Sequence, residues 1–428
     1  MRLALALFLL AGCPSKLEPL PVDDTAGPVD TGPGDTGPGD TGETHPTDAC
    51  AQDEATLRDM LAGAAPSRGQ VQALLASVAS SCGWPIETTS GSYLFACDCG
   101  GGAWNVAGDF DDWAGQSMAA HGSLSWVELD IPSPSDAGYK FTDGGASWSA
   151  DPWARRYLFD SFGELSLVRA RQAHLERWPA FEAQDLRTRT VRVWVPTGGT
   201  FDRVLYAHDG QNLFDPQAMW GGWRLQEALP DGMLVVANDN TSDRMEEYTH
   251  VQDLIHGSVY GGWGDTYAAF VHEQLRPWAA EQYGDASLHG LLGSSLGGLI
   301  SLHIADRYPG EYAFTASMSG TLGWGSIGAA NETMIQRYAA AGHRDTVIYL
   351  DSGGSGSCFD SDGDGTMDDD PSSSDNYCET AQLADTLVGQ GYTHEQDLWH
   401  WWEPGALHNE AAWADRVGLP LSIFAALD

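Results

Sequence analysis

The spacing of apolar positions changes twice along the chain, and each change predicts a different kind of structure. Between Asp53 and Cys82, Leu57, Leu61, Val71, Leu74, Leu75 and Val78 recur at helical intervals. Pro66 interrupts them, so two short helices are expected. From Tyr93 to Tyr157 the period drops to two. YLFACDC, WNVAGDF, SWVELDI and YKFTDGG are short alternating runs separated by Gly, Asp and Pro, the pattern of a small antiparallel β-sandwich. Beyond Phe181, strand-length apolar runs (VRVWVP, RVLYAHDG, MLVVAND, SLHGLLGSS, TVIYLD) alternate with helical stretches such as TYAAFVHEQLRPWAAEQY and LGGLISLHIADRY. Continuous apolar strands between helices predict a mostly parallel sheet with helices on both faces, and AAWADRVGLPLSIFAAL reads as a closing helix.

The first part of the chain lacks both periods. MRLALALFLLAGC carries one Arg and an apolar run too short to span a bilayer, and resembles a bacterial lipoprotein signal. That resemblance implies that residues 1–13 are processed to leave Cys13 as a lipidated N-terminus. Pro14 and Ser15 lack an inner-membrane Asp signal, so an exported lipoprotein of the outer membrane, cell surface or periplasm is expected. Residues 14–49 are Pro, Gly, Thr and Asp with DTGPG repeats, which bury too little to offset their ordering entropy and read as a tether. The expected order is then a helical segment over 50–90, a sandwich over 91–160 and a catalytic unit over 180–428 with an acidic insertion at 358–378.

Composition narrows the partners. Sixty acidic residues against 21 basic ones give a net charge of −39, which repels phosphate backbones and anionic lipid. Nucleic acid is excluded as a partner, and membrane contact is expected through the lipid anchor only. Besides Cys13, an even set remains (Cys50, Cys82, Cys97, Cys99, Cys358 and Cys378), which reads as disulfides in an exported chain. Cys97 and Cys99 sit too close together for the usual zinc pair.

The chemistry centres on Gly293-Ser294-Ser295-Leu296-Gly297-Gly298, placed after a predicted strand and before a predicted helix, as a nucleophile elbow requires. Ser295 is the candidate nucleophile. His408, in GALHNE between the run DLWHWW and the last helix, is its candidate base by topology and chain order. The loop His208-Asp209-Gly210-Gln211-Asn212 follows a strand, so the main-chain N–H groups of Gln211 and Leu296 are the candidate oxyanion donors. His208 and Asp209 read as turn-fixing residues. These features make the expected fold an α/β hydrolase preceded by the sandwich.

Several pieces carry a family resemblance. HDGQNLFD (208–215), Asp243-Arg244 with Glu247-Tyr248, LRPWAAEQY (275–283), GSSLGG, YLDSGG (349–354) and GALHNEAAW (405–413) occur in order and resemble the esterase D-like family. That family includes enterochelin esterases, feruloyl and acetyl-xylan esterases and mycobacterial mycolyltransferases. In the sandwich, Ala107-Gly108-Asp109-Phe110, Trp113, Met118, Trp126, Tyr139-Lys140-Phe141, Trp148 and Asp151-Pro152 resemble the immunoglobulin-like module of glycogen-branching enzymes and enterochelin esterases. The resemblance implies a serine carboxylic-ester hydrolase without a catalytic cofactor, acting on a small-molecule or polysaccharide-linked ester. An acyltransferase, or a catalytically impaired carbohydrate- or ligand-binding lipoprotein, is the alternative.

The orienting acid departs from the family pattern, because Gly356 stands where the resemblance places it. Asp351, ending the strand TVIYLD, is the first candidate, with Asp360 and Asp375 of the insertion as alternatives. Within the insertion, Asp360, Asp362, Asp364 and Asp368 occupy positions 1, 3, 5 and 9 of a calcium-type loop with Gly365 at 6, although Pro371 replaces the usual acid at 12. A structural calcium ion is therefore expected there, with Cys358 and Cys378 bracketing the loop.

Overall fold

A computed structural model describes residues 48–370 and 375–428. The expected signal, Cys13 and nearly all of the tether lie outside the described residues. The two predicted helices form at Asp48–Ala62 and Arg68–Ser80, with the break at Pro66. Ser67 caps the second through a capping box with Gln70, and the Cys50–Cys82 disulfide ties its end to the start of the first. Their apolar faces (Leu57, Val71, Leu75, Val78) cover a four-stranded sheet at Ile86, Leu94 and Leu124. The other face of that sheet presents Tyr93, Phe95 and Cys97 to Val106, Tyr139 and Phe141 of a second sheet, which is the period-two pattern buried as a sandwich.

That second sheet does not end with the sandwich. Among the described residues fourteen strands belong to it, and it passes through Arg156–Asp160, His174–Phe181 and Arg189–Val195 into the C-terminal half. There the strands Met233–Asn238, Arg203–His208, Leu288–Ser294, Phe314–Met318, Val347–Ser352 and Leu398–Trp402 lie side by side and parallel. Alternate residues point to opposite faces, as a pleated strand dictates. Val204, Tyr206 and Leu291 pack against Leu296, Leu299 and Leu383 on one side, while Leu205, Ala207 and Leu292 pack against Trp413, Leu421 and Phe424 on the other. The fold is an α/β hydrolase.

Two helical predictions are modified by proline. The run Gly264–Tyr283 is helical throughout, but Phe270–Leu275 widens into a π-turn just before Pro277. Pro277 has no N–H to return to the preceding turn, so the ladder adjusts there. The closing run divides at Val417 into Glu410–Arg416 and Gly418–Ala425, the second carrying Pro420 in its first turn.

From the strand Arg203–His208 the chain proceeds to one neighbour, Met233–Asn238, and later returns to the other, Leu288–Ser294. The loops leaving such neighbours at their carboxyl ends diverge and open a crevice, the usual place for a ligand in this architecture.

Candidate active site

Ser295 stands at that crevice, between the strand Leu288–Ser294 and the helix Leu296–Arg307. Its backbone is held at φ 56°, ψ −124°, a conformation that costs a non-glycine residue energy. Its N–H donates to Met318 O at 2.9 Å, and its carbonyl accepts from Gly298, Leu299 and Thr321, so the turn is fixed from both sides. A Cβ on Gly293 would lie 2.4 Å from the Gly297 carbonyl group; only a bare backbone lets strand and helix meet this closely. Ser295 Oγ lies 3.4 Å from Thr321 Oγ1, and no hydrogen bond joins Ser295 to His408.

Leu296 opens the helix, so its N–H has no partner within it. Gln211 lies in a single 3₁₀ turn, Gly210–Asn212, and its side-chain Oε1 accepts from Asn240 N at 3.0 Å. The loop rests against the elbow: a Cβ on Gly297 would touch His208 Cβ and Asp209 Oδ2 at 3.4 Å. His208 and Asp209 hold it there. Arg244 forms a two-pronged ion pair with Asp209 (2.8 and 2.7 Å), and Asn240 adds a third bond. Burial works to raise the Asp209 carboxyl, but Arg244 overcomes it and holds the group below its ordinary value. His208 donates or accepts at Tyr267 OH (2.8 Å), and burial lowers its imidazole to about 3, so it stays neutral. The Glu247 carboxylate pairs with Arg189 in full burial, and Tyr248 OH accepts from Asp209 N. These motif residues thus brace the loop.

His408 Nδ1 meets Asp375 Oδ1 at 2.7 Å, and the ring stands edge-on to Trp413 at 5.0 Å. A carboxylate offers only acceptors, so this bond places the proton on Nδ1 and leaves the lone pair on Nε2. Asp351 does not reach the histidine. Fully buried, it accepts from Tyr349 OH at 3.0 Å and Arg416 Nη2 at 3.1 Å. Burial pushes the Asp351 carboxyl above its ordinary value, with Arg416 opposing. Asp351 fails as His408's partner because its strand aims it inward at the closing helix. Asp360 sits out on the exposed loop, its carboxylate accepting from Gly363, Asp364 and Gly365.

Asp375 arrives from the insertion, which the Cys358–Cys378 disulfide closes. Asp369 fixes the adjoining chain by accepting from Cys378 N (2.7 Å), Tyr377 N (3.2 Å) and Asp375 N (3.5 Å). Next to Asp375, Asn376 Nδ2 donates to Ser319 O at 2.7 Å and to Thr321 Oγ1 at 3.4 Å. Glu410, two residues past His408, accepts from Asn212 Nδ2 at 3.1 Å and ties the histidine loop to the oxyanion loop. Ser319, Thr321, Asn376 and Arg416 went unread in the sequence. The only signal for Arg416 was a charge, next to Asp415, within a mostly apolar closing run.

Of the calcium-type loop, Asp360, Asp362 and Asp364 bring carboxylate oxygens within 4.8 Å of one another, a donor set suited to a hard cation. Asp368 instead turns Oδ2 to Ser361 N at 3.0 Å. Trp220, Trp402 and Leu407 are exposed by 55%, 41% and 65%, whereas Trp223 and Trp324 are buried.

Fold and site define an α/β hydrolase with a serine elbow. Residues 186–417 match the family described as "Putative esterase", and the chain belongs to that family of carboxylic ester hydrolases. An uncharacterized protein of Bacillus subtilis, YbbA, is 29% identical over 127 residues, which is 28% of this chain; the match spans about half (49%) of that relative. Among solved structures, the enterobactin esterase of Shigella flexneri aligns at 16% identity over 78% of this chain and 93% of its own, with a TM-score of 0.41. An IroE-like serine hydrolase of Shewanella oneidensis aligns at 17% over 60% and 82%, with a TM-score of 0.45.

Proposed function

We propose that the chain is a serine carboxylic-ester hydrolase working through an acyl-enzyme on Ser295. The observation that supports this most is the elbow serine at φ 56° sharing one sheet edge with a His408–Asp375 pair at 2.7 Å. Substrate binding excludes water and brings His408 Nε2 onto the Ser295 hydroxyl, a contact often loose in free enzymes. Nε2 takes the proton as Oγ attacks the ester carbonyl, and the N–H groups of Leu296 and Gln211 receive the negative charge formed on its oxygen. His408 then returns the proton to the departing alcohol, and water repeats the sequence to release the acid. No cofactor enters these steps. Asp375 holds the imidazole's tautomer and stabilises its positive charge.

Exposed tryptophans such as Trp220 and Trp402 would suit an aryl or sugar-linked ester of the enterochelin or feruloyl type. A screen of short-chain, feruloyl and catecholate esters tests the reading, with Ser295→Ala expected to lose about a thousandfold or more in kcat. Full activity in that variant would refute it. The acidic insertion is proposed to hold a structural calcium ion; added calcium should raise the melting temperature, and an unchanged value would leave only an acidic loop. The described residues contain three disulfides, which fit an oxidising compartment. Anchoring through Cys13 is proposed on the signal sequence, and Cys13→Ser should free the protein from membranes.

A further inference from the structure

Behind the His408–Asp375 pair lies a buried hydrogen-bond network whose centre is Ser319. It follows the strand Phe314–Met318, is fully buried, and adopts φ 48°. Every polar atom it has is engaged. Its N–H donates to Asp351 O at 2.8 Å, and its carbonyl accepts from Asn376 Nδ2 at 2.7 Å. Its hydroxyl oxygen is approached by Trp413 Nε1 and by Arg416 Nη2, each at 3.0 Å, and lies 2.8 Å from Asp375 Oδ2.

The direction of the hydroxyl proton follows from counting. A serine hydroxyl has one proton and two lone pairs, whereas indole and guanidinium nitrogens only donate. Trp413 and Arg416 therefore occupy both lone pairs, and the single proton can go only to Asp375. Oδ2 of Asp375 also accepts from Gly353 N. With Oδ2 held twice, the carboxylate cannot rotate, and Oδ1 is left facing His408 Nδ1. Trp413 acts on both partners, standing against the imidazole ring while fixing the serine. Asp351 Oδ1 accepts from the same Arg416 Nη2 at 3.1 Å and so helps to hold the guanidinium in place.

We infer that Ser319 is a positioning residue for the esterase reaction, its hydroxyl proton committed by Trp413 and Arg416 to hold Asp375 in the rotamer that orients His408. This inference rests on the reading of Asp375 as the orienting acid.

A double-mutant cycle tests it. Ser319→Gly suits the site, because glycine adopts φ 48° without cost and removes only the hydroxymethyl group. In the otherwise unaltered enzyme it should lower kcat by about 10- to 100-fold, the rate equivalent of one charge-assisted hydrogen bond, with KM changed less than about twofold. In an Asp375→Asn background the same substitution should cost less than about twofold, because the group it positions is already lost. An equal loss in both backgrounds, or a wild-type kcat in Ser319→Gly, overturns the inference. Full activity in Asp375→Asn alone overturns the reading beneath it, a separate and recognisable result. Should Ser319→Gly fail to fold, Trp413→Phe leaves an aromatic ring at that position while withdrawing the Nε1–H together with the rest of the indole. Its loss of kcat should likewise vanish with Asp375→Asn, and persistence there overturns the inference equally.

Discussion

Asp351 and Asp375 are both carboxylates with no exposed surface, yet their surroundings give them different work. Asp375 spends one oxygen on His408, so Asp375→Asn puts an amide where an acceptor is needed and favours the wrong imidazole tautomer. The expected loss is about 10³- to 10⁴-fold in kcat, with the melting temperature nearly kept. Asp351→Asn instead removes the nearer of the two carboxylates that face buried Arg416 (3.1 Å, against 3.6 Å for Asp375), which costs about 3 kcal/mol of stability and little kcat. Steady-state kinetics beside thermal melts of the two variants separate these outcomes; the reverse pattern would return the orienting role to Asp351. In the sequence, Ser295 and His408 could be named as candidates because each follows a strand, Ser295 directly and His408 in the loop after Trp402. Asp375 was only an alternative, since its position depends on a disulfide-closed loop and on Asp369's grip, which no periodicity records.

The elbow shows how an element can treat two identical residues differently. The pattern G-x-S-x-G names Gly293 and Gly297 alike, but only at Gly293 would a Cβ meet backbone, 2.4 Å from the Gly297 carbonyl group. At Gly297 the nearest atoms are at 3.4 Å, an ordinary contact. Gly293→Ala should thus cost more than about 3 kcal/mol or prevent folding, while Gly297→Ala should cost less than about 1 kcal/mol. Chemical denaturation of both variants checks this, and equal costs would contradict the elbow geometry. The strands after Phe181 were legible as continuous apolar runs, because they are buried on both faces, and the helices between them by their spacing. The π-turn before Pro277 was not, since it answers a missing N–H inside an otherwise regular helical pattern. Nor was the passage of one sheet from the sandwich into the catalytic half, which depends on pairing between His174–Phe181 and Arg156–Asp160.

Across the whole molecule, buried titratable groups give stability a defined dependence on pH. Burial pushes the Glu379 carboxyl up to about 8, with Asp369 adding to the effect, while Glu379 accepts from Gly323 N at 2.8 Å. Between pH 4.5 and about 8 the folded protein keeps this proton and the unfolded chain releases it, so stability falls as pH rises through that window. Glu379→Gln removes the slope: its melting temperature should gain on wild type between pH 5 and pH 8, by at least about 2 °C. A constant difference across that range would contradict the assignment. His208 and His250, both lowered to about 3 by burial, act at the other end. The unfolded chain takes up their protons below pH 6.5, so their contribution is lost as pH falls toward 3.

The central claim, an activated serine at position 295, is tested most directly by a fluorophosphonate probe followed by peptide mass spectrometry. Labelling should be stoichiometric, confined to the peptide bearing Ser295, absent in Ser295→Ala and strongly slowed in His408→Ala. Unlabelled wild-type protein that still hydrolyses esters, or undiminished labelling in Ser295→Ala, would contradict the account.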